Sequence, residues 1–251
     1  MEHTSKQTFA VVILAAGHGK RMQSDTPKSL TLLHNKPLIQ HLLDHIDESQ
    51  VVSDTVIVVG YKREEVMAAL GDNYTYVVQN EQLGTGHAVM TAKDSLLGKV
   101  DNVIVLYADM PYVGAETIQN IARTHLEKNA TLTMATVTLP DFNEWRAGFF
   151  DFSRVIRDAE GNIVCTVEKK DQTEAEHEIL EVNPAYLCFN AEWLWKNITE
   201  LKDENAQKEY YLTDLIGKAC EQSVTIASVS IDAKEAMGVN TKEQLELIHT
   251  L

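Results

Sequence analysis

The fold of this chain is decided by residues 9–19, which read FAVVILAAGHG. Phe9–Leu14 is a continuous apolar run, and such runs are typical of strands that are covered on both faces of a sheet. The small residues that follow it are Ala15, Ala16, Gly17 and Gly19. Because open α/β sheets bind ligands at the carboxyl ends of their strands, and small residues let backbone amides approach, this turn is a candidate anion site.

Short apolar runs and helical patterns alternate along the rest of the chain. The further predicted strands are Thr55–Val59, Tyr74–Val78, Val103–Tyr107, Thr131–Val137, Ala185–Phe189 and Val224–Val229. Apolar residues recur at helical spacing around 38–46, 66–70 and 88–96. This alternation predicts an α/β fold with a Rossmann-like, mostly parallel sheet flanked by helices.

Composition excludes several classes of protein. The 251 residues include 37 acidic and 22 basic side chains and have a formal net charge of −15, so we expect no nucleic-acid partner, which would require a basic face. The longest apolar run, Phe9–Ala16, is far shorter than the roughly 20 residues of a membrane-spanning helix, so we expect no membrane partner. Three cysteines without metal-ligand spacing, and no signal-peptide pattern, predict reduced thiols and a cytoplasmic location.

Basic side chains are concentrated just after the first turn of this acidic chain. The basic residues of this segment are Lys20, Arg21, Lys28 and Lys36, against one carboxylate, Asp25. A local excess of positive charge favours a phosphate-bearing ligand. The alternative is that the glycines only turn the chain, since the segment has neither the Walker spacing nor GxGxxG.

Seven motifs in chain order resemble a known family. They are LAAGHGKRM at 14–22, QNEQLGTGHA at 79–88, LYADMP at 106–111, VEKKD at 167–171, EVN at 181–183, NAQKEYYLTD at 205–214 and GVN at 238–240. Together they are similar to the sugar-1-phosphate nucleotidyltransferases, and specifically to the N-acetylglucosamine-1-phosphate uridylyltransferases, over roughly residues 9–245. The resemblance implies a nucleotidyltransferase fold and Mg²⁺-dependent transfer of a uridylyl group from UTP to N-acetylglucosamine 1-phosphate, which yields UDP-N-acetylglucosamine and pyrophosphate.

The resemblance also implies the roles of individual residues. As catalytic residues, Arg21 stabilises the departing pyrophosphate and Lys28 bridges the attacking phosphate and the α-phosphate. The implied nucleotide ligands are Leu14, Ala15, Ala16, Gly17, Gly19, Gln79, Gln82, Gly84 and Thr85. The implied sugar ligands are Tyr107, Glu168, Asn183, Tyr211 and Thr213. The implied metal ligands are Asp109 and Asn240, which hold Mg²⁺.

The residue types agree with these roles, although each has an alternative. Asp109 follows a buried strand, where a carboxylate is costly unless it faces a cleft or a cation; the alternative is a turn residue before Pro111. Asn240 could instead cap the last helix. The amides of Gln79 and Gln82 can read the edge of a pyrimidine, and the alternative is a solvated loop.

Two further expectations concern the sugar site and the base loop, which is the QNEQLGTGHA segment at residues 79–88. Gly84 and Gly86 should leave free backbone amides at the start of the next helix. The side chains of Tyr211 and Thr213 hold the sugar according to the resemblance, whereas tyrosine pairs are often part of a core.

The second half of the chain departs from the family pattern. Phe152-Ser153-Arg154-Val155 stands where the family has Tyr-Gly-Arg-Ile, and Asn183-Pro184-Ala185 stands where it has Asn-Thr-Gly. Lys208 replaces a glycine, and Lys20 replaces a common threonine. We therefore expect stricter discrimination among nucleotides than among sugar phosphates. The alternatives are a nucleotidyltransferase for another sugar 1-phosphate, such as glucose 1-phosphate, and a non-catalytic nucleotide-sugar sensor.

The domain organisation follows from the same motifs. We predict a flexible tail over residues 1–8 and a single domain over 9–251, with a nucleotide half at about 9–140 and a sugar-phosphate half at about 141–251. Bifunctional members of the family carry a second domain of hexapeptide repeats, and these 251 residues contain no such repeat. We expect no acetyl transfer by this chain. Whether it is a monofunctional protein or part of a longer one stays open, as does its oligomeric state.

Overall fold

A ten-stranded sheet forms the centre of the computed structural model, which describes residues 7–22, 24–205 and 207–250 except for the side chain of Lys20. The strands are β1 Phe9–Ala15, β2 Leu32–Leu33, β3 Lys36–Pro37, β4 Asp54–Val59, β5 Thr75–Val78, β6 Asn102–Tyr107, β7 Leu132–Thr138, β8 Ser153–Arg157, β9 Ile163–Val167, β10 Glu181–Asn183, β11 Leu187–Asn190 and β12 Ile226–Ser230. The α-helices of the described residues are α1 Leu38–Ser49, α2 Arg63–Leu70, α3 Thr85–Thr91, α4 Lys93–Leu96, α5 Ala115–Glu127, α6 Glu174–His177, α7 Ala191–Asn197, α8 Asp214–Glu221 and α9 Lys242–Thr250.

The first half of the sheet is parallel. Its strand order is β5-β4-β1-β6, and β1 lies between β4 and β6, with Val12 paired to Val56 on one side and to Val105 on the other. This central position explains why β1 is almost continuously apolar, because neighbouring strands and helices exclude water from both of its faces. The predicted α/β fold, with a mostly parallel sheet flanked by helices, is confirmed.

Antiparallel strands occur in the second half. β11 runs antiparallel between β6 and β7, β12 runs parallel to β7, and β10, β8 and β9 extend the sheet in antiparallel order. Strands β8, β9 and β10 were not predicted from the sequence: each has five residues or fewer, and β8 and β10 carry charged residues. One of those charges is stabilised across the sheet, where Arg157 donates to Glu181 at 2.7 and 2.8 Å.

Alternate residues of β1 face two separate apolar layers. Phe9, Val11 and Ile13 pack in the layer covered by α1, α5 and α9, whereas Ala10 and Val12 face the layer covered by α3, α7 and α8. Residues of α1 that enter the first layer are Leu38, Ile39, Leu42, Leu43 and Ile46. The helical period predicted this face correctly. The segment predicted as one helix at 88–96 is instead two short helices, α3 and α4.

The amino-terminal tail is shorter than predicted where the structure describes it. Residues 1–6 lie outside the described part of the chain. Thr8, which was assigned to the tail, donates from its backbone amide and its hydroxyl to Asp101 at 2.8 and 3.0 Å. None of the helices described is both long and apolar enough to cross a membrane.

Candidate active site

A cleft of about 230 Å³ opens at the carboxyl ends of β1 and β6. Its lining residues are Leu14, Ala15, Ala16, Gly17, Lys28, Ser29, Gln79, Gln82, Gly84, Thr85, Ala88, Tyr107, Ala108, Asp109 and Glu209. Every nucleotide ligand implied by the sequence lines this cleft except Gly19. That glycine has a φ of +63°, and a Cβ there would lie 2.9 Å from the Cβ of Lys28, so Gly19 shapes the turn that carries the lysine.

A wider cleft of about 810 Å³ adjoins the first and shares Thr85 and Tyr107 with it. Of the implied sugar ligands, Tyr107, Glu168, Tyr211 and Thr213 line this second cleft. Asn183 lines neither cleft. It is buried on β10, and its side-chain oxygen accepts from the backbone amide of Ala185 at 2.8 Å.

Four side chains from distant parts of the sequence meet beside the first cleft. The ammonium of Lys28 forms an ion pair with the carboxylate of Asp109 and donates to Asn240 Oδ1 at 2.7 Å. Arg21 donates to the same Asn240 oxygen at 2.9 Å. The backbone brings them together, because Val239 N donates to Asp109 O at 2.9 Å and so holds the segment before α9 against the end of β6.

Each of the two metal ligands had an alternative role in the sequence analysis: Asn240 as the cap of the last helix and Asp109 as a turn residue before Pro111. Thr241 Oγ1 accepts from Gln244 N at 3.2 Å at the start of α9, while the Asn240 side chain contacts Lys28 and Arg21. Gln244 in turn accepts from the backbone amide of Asn240 at 2.7 Å, which orients this residue. The Asp109 carboxylate is bound by the lysine ammonium.

The oxygens of Asp109 and Asn240 fit a divalent cation. Both contact the single ammonium of Lys28, so they converge on one cationic position. A carboxylate and an amide oxygen are hard ligands of the kind that Mg²⁺ takes, with phosphate and water oxygens completing its shell. Within the described ranges, no group of three or more His, Cys, Asp or Glu side chains could hold a metal. A cation at this position would take its further ligands from phosphate and water oxygens.

The basic cluster predicted from the sequence is divided in the structure. Arg21 and Lys28 reach the site, whereas Lys36 donates to Asp44 on α1 at 2.6 Å and lies half-exposed on the surface. That hydrogen bond is the main cause of the lowered pKa of the Asp44 carboxyl. The side chain of Lys20 lies outside the described part of the chain. The sequence therefore predicted more positive charge at the cleft than the described side chains of this segment supply.

The loop that carries Gln82, Gly84 and Thr85 is hydrogen-bonded to the segment before α8. Gly86 N donates to Tyr210 O at 2.7 Å, and Tyr210 N donates to Leu83 O at 2.8 Å. Thr85 Oγ1 accepts from Leu212 N at 3.0 Å. The expectation of a free amide at Gly86 is therefore wrong, because this amide donates a hydrogen bond to the Tyr210 carbonyl.

Gly84 is required by this packing. It has a φ of 103° and a ψ of 175°, a conformation that only glycine adopts readily. A Cβ at Gly84 would lie 2.6 Å from Tyr210 O. By contrast, a Cβ at Gly17 would meet nothing within 4 Å, and its surroundings are the open cleft. The two glycines thus serve different purposes, one in packing and the other in keeping space for a ligand.

We expect the variants Gly84→Ala and Gly17→Ala to separate these purposes. Gly84→Ala should lower the free energy of unfolding by about 2 kcal/mol or more, because of backbone strain and the contact with Tyr210. Gly17→Ala should leave the unfolding midpoint unchanged, yet raise the KM for the nucleotide by at least about tenfold, since its methyl group takes ligand space. Urea unfolding and steady-state kinetics measure the two effects. Wild-type kinetics in Gly17→Ala would remove this turn from the ligand site.

Two ionisable groups of the second cleft, the Glu168 carboxyl and the Tyr107 hydroxyl, are partly buried. Burial raises the pKa of the Glu168 carboxyl, while a hydrogen bond with Thr213 opposes this shift and the nearby Asp214 and Asp171 reinforce it. Burial, together with the charges of Asp109 and Glu168, also raises the pKa of the Tyr107 hydroxyl. The Tyr211 hydroxyl donates to Gln207. These groups offer hydroxyl donors and one carboxylate acceptor to a polyhydroxylated ligand.

Arg154, which is kept from the family motif, does not face either cleft. It is fully buried, donates to the carbonyls of Phe152 and Phe150 at 2.6 and 3.3 Å, and lies over the ring of Phe142 at 4.5 Å. Its guanidinium therefore packs against aromatic rings in the interior instead of facing a ligand. Ala185, where the family has glycine, has a φ of +64°, in the left-handed region that glycine adopts most readily.

Three residues of this region were not among the predicted site residues. Ser29 and Glu209 line the first cleft, and the buried Ser29 hydroxyl has no hydrogen-bond partner among the described residues. His87 contacts the Gln79 side chain. Glu209 and His87 both lie inside quoted motifs, so their position was visible, but nothing in the sequence distinguished them from their neighbours.

Known proteins are similar to this chain over most of its length. Residues 11–211 match the family model of the MobA-like NTP transferase domain. The bifunctional protein GlmU of Brevibacillus brevis is 39% identical over 235 residues, which cover 93% of this chain and 49% of that protein. GlmU of a Psychrobacter species is 40% identical over 240 residues, which cover 95% and 50%. The chain thus spans about half the length of the curated relatives it matches.

Two solved structures share the fold at low sequence identity. A CMP:2-keto-3-deoxy-manno-octonic acid synthetase complexed with CTP superposes with a TM-score of 0.71 at 15% identity, over 97% of both chains. A Bacillus anthracis protein described as a glucose-1-phosphate thymidylyltransferase, in complex with sucrose, superposes with a TM-score of 0.76 at 18% identity, over 97% of this chain and 94% of that one.

Proposed function

This chain belongs to the family of the MobA-like NTP transferase domain, and we propose that it transfers a uridylyl group from UTP to N-acetylglucosamine 1-phosphate. The observation that carries the proposal is the meeting of Lys28, Arg21, Asp109 and Asn240 beside two adjoining clefts. One cleft is lined by small residues and amides suited to a nucleotide, and the other by hydroxyl and carboxylate groups suited to a sugar. The similarity to GlmU proteins over nearly the whole chain supports the same assignment.

The reaction is a displacement at the α-phosphorus of UTP. A phosphate oxygen of the sugar phosphate forms the new P–O bond, and the bond from the α-phosphorus to the bridging oxygen breaks as pyrophosphate leaves. Two polyanions must approach each other, so catalysis depends on positioning and charge neutralisation. Lys28 neutralises the attacking phosphate and the α-phosphate, and Arg21 neutralises the departing pyrophosphate.

The metal and the sugar site complete the proposal. Mg²⁺ held by Asp109 and Asn240 supplies further charge neutralisation at the phosphates when it is bound. Tyr107, Glu168, Tyr211 and Thr213 bind the sugar from the second cleft. Asn183, which lines neither cleft, is not part of this proposed sugar site. We place the reaction in the cytoplasm, because Cys165, Cys188 and Cys220 are free thiols.

A panel of nucleotides and sugar phosphates tests the proposed function. With N-acetylglucosamine 1-phosphate, we expect kcat/KM for UTP to exceed that for CTP by about ten- to a hundredfold, because a mismatched buried polar group costs about 1–3 kcal/mol. With UTP, glucose 1-phosphate should be used at a reduced but measurable rate, given the altered residues Ser153 and Ala185. Pyrophosphate release is the measurement.

Each outcome of the panel has a distinct meaning. Equal use of UTP and CTP would contradict the assignment of the base loop. Strict rejection of glucose 1-phosphate would contradict the relaxed sugar site. Binding of UDP-N-acetylglucosamine without pyrophosphate release from any pair of substrates would favour the non-catalytic sensor.

A further inference from the structure

The side chain of Gln79 is held by two contacts at the wall of the nucleotide cleft. Gln79 is only 3% exposed, and its carboxamide nitrogen lies 3.1 Å from Gly84 O and 3.0 Å from His87 Nδ1. A carbonyl oxygen can only accept a hydrogen bond, so the atom that faces Gly84 O is the nitrogen of the carboxamide. The orientation of this side chain therefore follows from chemistry.

The same geometry determines the protonation of His87. The Gln79 nitrogen carries two hydrogens, of which one goes to Gly84 O and the other points to His87 Nδ1. His87 Nδ1 must then be the unprotonated ring nitrogen, and the proton is on Nε2. With both of its N–H groups engaged, Gln79 has its carboxamide oxygen left for a ligand in the cleft that it lines.

We propose that His87 is a positioning residue for base recognition, which accepts a hydrogen bond from Gln79 and thereby holds the carboxamide oxygen toward the base. This inference rests on the proposed function. An oxygen presented in this way accepts from the ring N–H of uracil, whereas it meets the lone pair of the corresponding cytosine nitrogen. His87 itself does not line either cleft, so it acts through Gln79.

Removal of His87 leaves Gly84 O as the single anchor of the carboxamide. The amide nitrogen then gains a free hydrogen, and rotation of the side chain can bring an N–H toward the base. Discrimination between a donor and an acceptor on the base should fall, while the rest of the cleft is unchanged. Substitution by asparagine preserves the anchor, because the Asn side-chain oxygen can take the place of Nδ1 and accept the same hydrogen.

The experiment compares kcat/KM for UTP and CTP in the wild type, His87→Phe and His87→Asn. We expect the UTP/CTP ratio to fall by about three- to tenfold in His87→Phe, the equivalent of one hydrogen bond, and to return to near the wild-type ratio in His87→Asn. The KM for N-acetylglucosamine 1-phosphate should be the same in all three. In a Gln79→Ala background, His87→Phe should add no further change in the ratio, since it acts through the missing carboxamide.

Nitrogen NMR of His87 provides a second test that depends on neither turnover nor a variant. The ring of the wild-type protein should show a proton on Nε2 and none on Nδ1. A proton on Nδ1, or an unchanged UTP/CTP ratio in a folded His87→Phe, would overturn the role of His87. A wild-type enzyme that does not prefer UTP would instead contradict the proposed function. The two failures can be distinguished, because the NMR result does not depend on the substrate.

Discussion

Asp109→Asn is expected to retain the wild-type fold and to lose about 10²- to 10⁴-fold in kcat, because the site loses a charged metal ligand and the neutral amide binds a divalent cation weakly. The apparent affinity for Mg²⁺ should fall with it. Stability should change little, since the side chain of Asp109 is 21% exposed and the ammonium of Lys28 keeps its contact with Asn240. Kinetics as a function of Mg²⁺ concentration and thermal unfolding are the measurements.

The matched control is Asp44→Asn, which makes the same chemical change in the half-exposed pair of Lys36 on β3 and Asp44 on α1. Its kinetics should equal those of the wild type. Full activity of Asp109→Asn at ordinary Mg²⁺ concentration would remove Asp109 from the site, whatever the control shows.

Lys28→Met is expected to have two effects of opposite direction. Turnover should fall by about 10²- to 10³-fold, because the positive charge that neutralises the reacting phosphates is gone. Binding of Mn²⁺ to the nucleotide-free protein should become about tenfold tighter, which corresponds to about 1.4 kcal/mol, since the ammonium no longer occupies the position between Asp109 and Asn240. Titration with Mn²⁺, followed by electron paramagnetic resonance, measures the second effect without any turnover.

Lys36→Met removes the same charge from the surface pair with Asp44 and is the control for long-range electrostatics. Mn²⁺ affinity should rise in Lys28→Met alone. An equal rise in both variants would show that net charge, rather than displacement of the ammonium, explains the effect. An unchanged affinity in Lys28→Met would show that lysine and metal do not share a position.

Much of the candidate site could be predicted because its residues lie directly after strands. Leu14–Gly17 lies at the carboxyl end of β1 and Asp109 follows β6, and adjacent parallel strands end at the same edge of a sheet. The meeting of Lys28 with Asn240 could not be predicted from spacing, because 212 residues separate them. Here the family resemblance, rather than any local pattern, placed both residues in the site, Lys28 as a catalytic residue and Asn240 as a metal ligand.

The glycines of the base loop show where local reasoning was insufficient. Gly84 and Gly86 suggested backbone exposed to a ligand, and the structure places Tyr210 against both. A similar limit applies to Arg154, which is kept from the family motif. Its guanidinium is buried among Phe142, Phe150 and Phe152, and it lines neither cleft. Burial of a polar group depends on what packs over it, and that neighbour is distant in sequence.

The sequence by itself determined the α/β class, the positions of the buried central strands along the chain and the chemical character of the first turn, because apolar periodicity and glycine conformation act over a few neighbouring residues. Only the tertiary structure decided which of these groups are free to bind a ligand. Gly86 N, Lys36 and Arg154 are engaged elsewhere, and Gln79 offers its oxygen because its nitrogen is held by Gly84 and His87. A hydrogen-bonding group has few bonds to form, and the partners that take them are brought together by the packing of the whole chain.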